Sequence, residues 1–175
     1  MFKSIAIAIV LAIAALLIFA STRPDSFRVE RSVSIKAPPE RAFALINDFH
    51  NWTQWSPWEN IDPNLKRNYS GPRSGTGTVY AWEGNGDAGQ GRMEMLENTP
   101  PSRIKIKLDF LQPFEAHNTA EFTLEAKGDS TTVTWAMYGP SPYLSKVMGI
   151  FVSMDKIVGK DFERGLTNLK AAAEK

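Results

Sequence analysis

A chain of 175 residues and 19.5 kDa has room for one ordinary domain and little else. Its 20 Lys and Arg nearly cancel its 19 Asp and Glu, which excludes the basic surplus of a nucleic-acid binder, and its 43 % apolar content excludes disorder. With no Cys there are no disulfides, thiolate nucleophiles or Cys-based zinc sites; with His50 and His117 alone, no multi-histidine metal centre is expected, and nothing calls for a cofactor.

The average conceals a lump at the start. Residues 5–20 are sixteen consecutive apolar residues, and the first 20 positions hold 18 apolar side chains; the other 155 hold 57, with zero net charge. Residues 4–22, as helix, would span about 28 Å at ~1.5 Å per residue, just enough for a ~30 Å hydrocarbon core. A cleaved export signal is the alternative, but a cut after Ala20 puts Ile18 at −3 and a cut after Ser21 puts Phe19 there, where small residues are needed; only a cut after Thr22 gives Ala20 at −3, with Thr a poor −1 residue. The reading is therefore a membrane anchor over residues 1–22 and a globular domain over 23–175, with a secreted, signal-cleaved domain as the alternative. Arg23, Arg28 and Arg31 would by charge count hold the domain in the cytoplasm. They belong to a folding segment, however, and the short basic start at Lys3 resembles an export signal, so a domain outside the cytoplasm is favoured.

After a polar linker, residues 27–36 alternate: Phe27, Val29, Val33 and Ile35 face one way, while Arg28, Glu30, Ser32 and Ser34 face the other. Pro39 suits the first turn of a short helix over 40–48, and a second short segment over 50–55 carries part of the cluster Trp52, Trp55 and Trp58. Six further strands are expected at 65–70, 77–83, 90–97, 103–111, 117–126 and 131–138, antiparallel where tight turns such as 127–130 join them. From Ser141, an N-cap candidate followed by Pro142, a stripe of Leu144, Val147, Met148, Phe151, Met154, Val158, Phe162, Leu166 and Leu169 predicts one long helix to about Lys170. Gly149, Gly159 and Gly165 each lower helix stability by about 1 kcal/mol relative to Ala, so close approach to a curved sheet is expected there. The fold class is α+β: a curved antiparallel sheet of about seven strands wrapped around a C-terminal helix.

The opening V-x-R-S-x-x-I-x-A-P-P-E-x-x-F from Val29 to Phe43 and the run N-W-x-x-W-S-P-W from Asn51 to Trp58 carry a family resemblance. So do the segments TGTVYAWEGN, GQGRMEML and STTVTWAMYGPSPYLSKVMG. The layout resembles the helix-grip fold of the START-like (SRPBCC) superfamily, and most closely its polyketide cyclase/dehydrase and lipid transport branch. The resemblance covers residues 27–173. It implies a cavity between sheet and C-terminal helix able to hold an apolar ligand, and no universal catalytic set.

The inward strand positions and the helix stripe give the candidate ligand-binding residues: Trp82, Met93, Met95, Ile104, Ile106, Phe110, Phe122, Trp135, Met148, Phe151 and Met154. The same residues would equally make a solid core. Trp52, Trp55 and Trp58 read as a cap packing the short helices on the sheet, as a pocket rim, or as a membrane contact. Gly84, Gly86 and Gly89 match G-x-G-x-x-G but are followed by a strand pattern, so they read as a hairpin loop. Of the titratable groups His50, Glu83, Glu94, Asp109, Glu115 and His117, no two are spaced as an acid–base pair, and no catalytic residue is assigned. Glu83 and His117 are the two expected to be able to point inward. The resulting expectation is a membrane-tethered binding module for a small hydrophobic molecule, lipid or polyketide-like. Its alternatives are a cyclase- or hydrolase-like enzyme on an apolar substrate, or a structural or interaction domain at the membrane.

Overall fold

Seven strands follow the alternation of the sequence closely and form one sheet. The computed structural model describes residues 2–175. The strands are β1 (Ser26–Ile35), β2 (Lys66–Ser70), β3 (Val79–Glu83), β4 (Gln90–Thr99), β5 (Arg103–Gln112), β6 (Ala116–Lys127) and β7 (Ser130–Pro140), in the order β1-β7-β6-β5-β4-β3-β2. All neighbours are antiparallel. β6 and β7 meet through a tight turn in which Gly128 has φ +64, a left-handed conformation that suits glycine. The 84–89 glycine segment is a β3–β4 hairpin loop, closed by the Gly84 amide donating to the Gly89 carbonyl at 2.9 Å.

The helices are α1 (Phe2–Ser21), α2 (Pro39–Asn47), α3 (Tyr143–Met148) and α4 (Met154–Ala173), with a 3-10 helix over Phe49–Gln54. α1, 20 residues long, is long and apolar enough to cross a membrane, a property that an N-terminal signal sequence shares. Pro39 occupies the first turn of α2 as expected, and the Asp48 side chain caps the 3-10 helix by accepting from the His50 amide at 2.9 Å.

The single C-terminal helix expected from the stripe is in fact two. Residues 149–153 break it, for reasons visible locally. Gly149 ends α3, β-branched Ile150 and Val152 are weak helix formers, and Ser153 opens α4 as an N-cap whose hydroxyl accepts from the Lys156 amide, with Asp155 in the first turn. Nor does Ser141 cap the first piece: Pro142 stands at that position and offers no side-chain acceptor.

The core lies between the inner sheet face and α4, α2 and the 3-10 helix. The Phe122 ring stacks on Trp135 at 5.0 Å, and Trp135 stacks on Phe162 of α4 at 4.2 Å with planes 6° apart. Trp55 and Trp58 meet this stack edge-on. Trp52 and Trp55 are buried, and their indole nitrogens donate to the Ile46 and Leu45 carbonyls. The tryptophan cluster thus packs the short helices onto the sheet, and Trp52 and Trp55 have no surface left for lipid. Full burial of each such ring is worth about 1.5–3 kcal/mol. Gly159 and Gly165 let α4 approach closely: a Cβ at Gly165 would lie 2.8 Å from the Trp135 ring, and one at Gly159 would lie 2.3 Å from the Arg31 guanidinium.

Candidate functional site

Because α3 and α4 are separate, the 142–154 segment swings away from the sheet and leaves a cleft of about 690 Å³. Its floor comes from Phe27 and Val29 of β1 and from Ala116 and Asn118 at the start of β6. Pro140, Pro142, Ser145 and Met148 form one wall; Phe151, Val152, Met154 and Ile157 form the other. The volume falls within the ~300–1,000 Å³ typical of small-molecule sites, and the lining is mostly apolar. A smaller hollow of about 430 Å³ lies at Ser26, Phe27, Arg28, Tyr138 and Gly139; only the larger cleft is walled by both sheet and helices.

Three side chains hold the walls. Arg31 sits on the inner side of β1, in phase with Val29 and Val33. It donates to Asp155 at 2.8 and 3.1 Å and to Glu163 at 2.7 Å, and these hydrogen bonds hold the Asp155 carboxyl below its usual range. Lys146 of α3 pairs with Asp25 in the linker, depressing that carboxyl in the same way. Tyr143 donates to the Leu17 carbonyl at 2.8 Å, which brings α3 against α1.

Asn118 is the one deeply buried polar side chain on the cleft floor. It is 8 % exposed and makes no side-chain hydrogen bond among the described residues. Its neighbours in the sheet are Leu108 of β5 and, beside it on β7, Gly139, where a Cβ would lie 2.2 Å from the Asn118 oxygen. The carboxamide is open to the cleft rather than sealed in the core, so its hydrogen-bonding capacity is available to whatever occupies that space.

The residues singled out from sequence fall into three groups. Met148, Phe151 and Met154 line the cleft, with Met148 59 % and Phe151 70 % exposed, so they form its outer rim rather than a sealed wall. Met93, Met95, Ile104, Ile106, Phe122 and Trp135 are buried in the packed core and do not reach the cleft. Trp82 and Phe110 are half-buried, edge to face at 6.0 Å, with the Trp82 indole donating to the Ala88 carbonyl at 3.1 Å.

Glu83 and His117, expected as possible inward groups, both face solvent. Glu83 pairs with Lys66 at 3.0 Å. His117 lies on the outer sheet face at the cleft edge, 2.7 Å from Asp109 and 3.2 Å from Glu115. The hydrogen bond to Asp109 raises the His117 pKa above the ordinary 6.5. Burial pulls Asp109 upward, but hydrogen bonds from Lys107 and His117 outweigh it and leave the carboxyl below its usual value. His50 pairs with Asp48, and Glu94 with Arg92, both away from the cleft. Among the described residues no three His, Asp or Glu side chains group as metal ligands.

One buried polar network has no local signature in the sequence. Glu59, 4 % exposed, accepts from the Tyr80 hydroxyl at 2.8 Å and from Arg67 at 2.7 Å, and the Arg67 guanidinium also reaches the Glu59 carbonyl. Burial and the adjacent carboxylate push the Tyr80 hydroxyl far above its ordinary pKa. Tyr69 stacks on Tyr80 at 5.0 Å and His50 on Tyr69 at 4.1 Å, so the network braces the β2–β3 end of the domain.

Solved structures with this fold include protein CV1439 from Chromobacterium violaceum, 16 % identical over 87 % of this chain and 99 % of that one, with a TM-score of 0.58. The major latex-like protein 151 of Panax ginseng is 14 % identical over 87 % and 100 % of the two chains, with a TM-score of 0.61. The di-domain ARO/CYC protein BexL, from the BE-7585A biosynthetic pathway, is 17 % identical over 90 % of this chain and 53 % of its own, with a TM-score of 0.59. At these identities the likeness establishes the fold, the START-like helix-grip arrangement. No curated protein matches the sequence. The family described as polyketide cyclase/dehydrase and lipid transport matches residues 26–174. With that match spanning the whole of the sheet and both C-terminal helices, the chain belongs to the polyketide cyclase/dehydrase and lipid transport family.

Proposed function

We propose that this chain is a membrane-tethered binding module for a small hydrophobic ligand, lipid or polyketide-like, held in the cleft between the sheet and the C-terminal helices. The observation that carries this reading is the cleft itself: about 690 Å³, mostly apolar, with an apolar rim beside α1. Binding is driven by desolvation, since each ~100 Å² of apolar ligand surface taken from water is worth about 2.5 kcal/mol.

Membrane tethering is supported by α1 and by what surrounds the mouth. Leu144 and Met148 on α3, which packs next to α1, and Phe151 and Val152 just beyond it are exposed large apolar side chains. In water such a patch is unfavourable; at a bilayer surface it is covered. Arg23 beside it suits anionic headgroups. The anchor thereby holds the cleft mouth at a reservoir of apolar molecules, with the domain on the outer side of the membrane. The family and the presence of the ARO/CYC protein BexL among the structural neighbours agree with a lipid or polyketide-like ligand.

Native mass spectrometry of the full chain, released from detergent micelles, tests the reading. Discrete adducts of a few hundred daltons on the folded protein are expected. A chain that is consistently empty, and stays empty after incubation with long-chain acyl compounds, overturns it.

A further inference from the structure

We infer that the cleft selects ligands that carry an uncharged hydroxyl at one end of an apolar body, and that the Asn118 carboxamide is the group that recognises it. The inference rests on the hydrophobic-ligand reading and adds a specificity that the apolar walls alone do not supply.

Three observations converge. Asn118 is more than nine-tenths buried, lies on the cleft floor, and has no protein partner for its side chain. Room is made for it: Gly139 on the adjacent strand has no side chain, and any Cβ there would collide with the Asn118 oxygen. Its surroundings are apolar, with Ala116 and Ala120 on either side along β6 and Leu108 across on β5.

A carboxamide offers both an acceptor oxygen and a donor N–H₂, so it can both give to and take from a hydroxyl. A carboxylate or phosphate is disfavoured at that floor: of the basic groups lining the cleft, Lys146 is committed to Asp25, Arg28 to Glu30 and His117 to Asp109 and Glu115, while the exposed Arg23 lies over the Phe19 ring of α1. A charge set against that floor would lack a counter-ion. The ligand thus enters hydroxyl first, with its apolar body against Phe27, Val29 and Met154 and its far end at the Phe151 rim.

The test uses the full chain in nanodiscs and two photoactivatable probes of equal length, one a long-chain alcohol and one the matching alkane, with crosslinks mapped by peptide mass spectrometry. The wild type is expected to show about tenfold more alcohol than alkane label on the cleft segments 27–29 and 148–154, the ratio one neutral hydrogen bond supports. Asn118→Leu, close in shape, is expected to lose that preference while keeping the alkane label. It should melt close to the wild-type temperature, because the carboxamide makes no hydrogen bond within the protein to lose. A merely structural Asn118 would instead lower the melting point. Gly139→Ala, which displaces the carboxamide without removing it, is expected to erase the preference too, and it serves if Asn118→Leu does not fold. Equal cleft labelling by both probes in the wild type, or a preference that survives both substitutions, overturns the inference and leaves the hydrophobic-ligand reading standing. Absence of cleft label with either probe overturns both.

Discussion

The Arg31 guanidinium grips the Asp155 carboxylate through two parallel hydrogen bonds, at 2.8 and 3.1 Å, and so ties the inner side of β1 to the first turn of α4. The same carboxylate lies in the cleft wall, so this pair positions the wall as well as the helix. Lysine cannot reproduce the two-pronged geometry. Arg31→Lys is therefore expected to recover little of what Arg31→Ala loses in melting temperature, and hydrogen exchange should speed up selectively in residues 149–158. A lysine variant that behaves as the wild type in both measurements would show that only the charge matters.

Gly159 gives a sign reversal. In the wild type, Gly159→Ala drives a methyl into the Arg31 guanidinium and pushes it off its two carboxylates. With Arg31 already replaced by Ala, the three atoms nearest to that methyl are gone, and the same change should stabilise α4 by about 1 kcal/mol through helix propensity. Gly159→Ala is expected to lower the melting temperature in the first background and raise it in the second; the same sign in both backgrounds contradicts the contact.

Gly165 has no such escape, because its neighbours are the rigid Trp135 ring and Pro57 at 2.8 and 3.0 Å. Gly165→Ala should destabilise by about 1–3 kcal/mol through overpacking. Chemical denaturation with an unchanged slope and a lower midpoint is the expected readout; an unchanged midpoint would mean that α4 does not sit this close to the sheet.

Tyr80→Phe removes a hydrogen bond to a buried carboxylate and should cost about 1.5–3 kcal/mol. Because the Glu59–Arg67 pair survives it, the slope of the denaturation curve should stay the same.

The His117–Asp109 pair sets a pH window. His117 is raised above 6.5, so its share of stability is fully present below that pH and fades as pH rises through the higher folded-state value. Asp109 is lowered below 3.8, so its share is present above that pH and fades as pH falls through the lower folded-state value. The pair is therefore intact from about pH 4 to somewhat above 6.5. An NMR titration of His117 should give a midpoint above 6.5 that falls towards 6.5 in Asp109→Asn; a midpoint indifferent to that substitution removes the interaction.

The sheet was legible because alternation is a local property. All seven strands lie where period-two patterns put them, as Ile104, Ile106 and Phe122 illustrate. Arg31 keeps step with Val29 and Val33, and Asn118 with Ala120 and Phe122, so both belong to the inner face despite their polarity. The long-helix expectation failed for a different reason. A stripe at steps of three and four does not distinguish one helix from two; the local signal that does is Ser153 before Asp155, an N-cap followed by an acidic first turn. Most of the cleft could not be read at all, because it depends on how far the 142–154 segment stands off the sheet. The Glu59–Arg67–Tyr80 network is likewise tertiary, joining groups 8 and 21 residues apart.

Where a bound ligand sits tests the account most directly. With the full chain in nanodiscs and a photoactivatable long-chain acyl probe, crosslinks are expected on the floor and walls of the cleft: segments 27–29, 116–118 and 148–154. Competition by unlabelled acyl compound should suppress them. Label confined to α1, or label on the packed strands around Met93 and Ile106 with none on the cleft, would contradict the assignment of this space as the binding site.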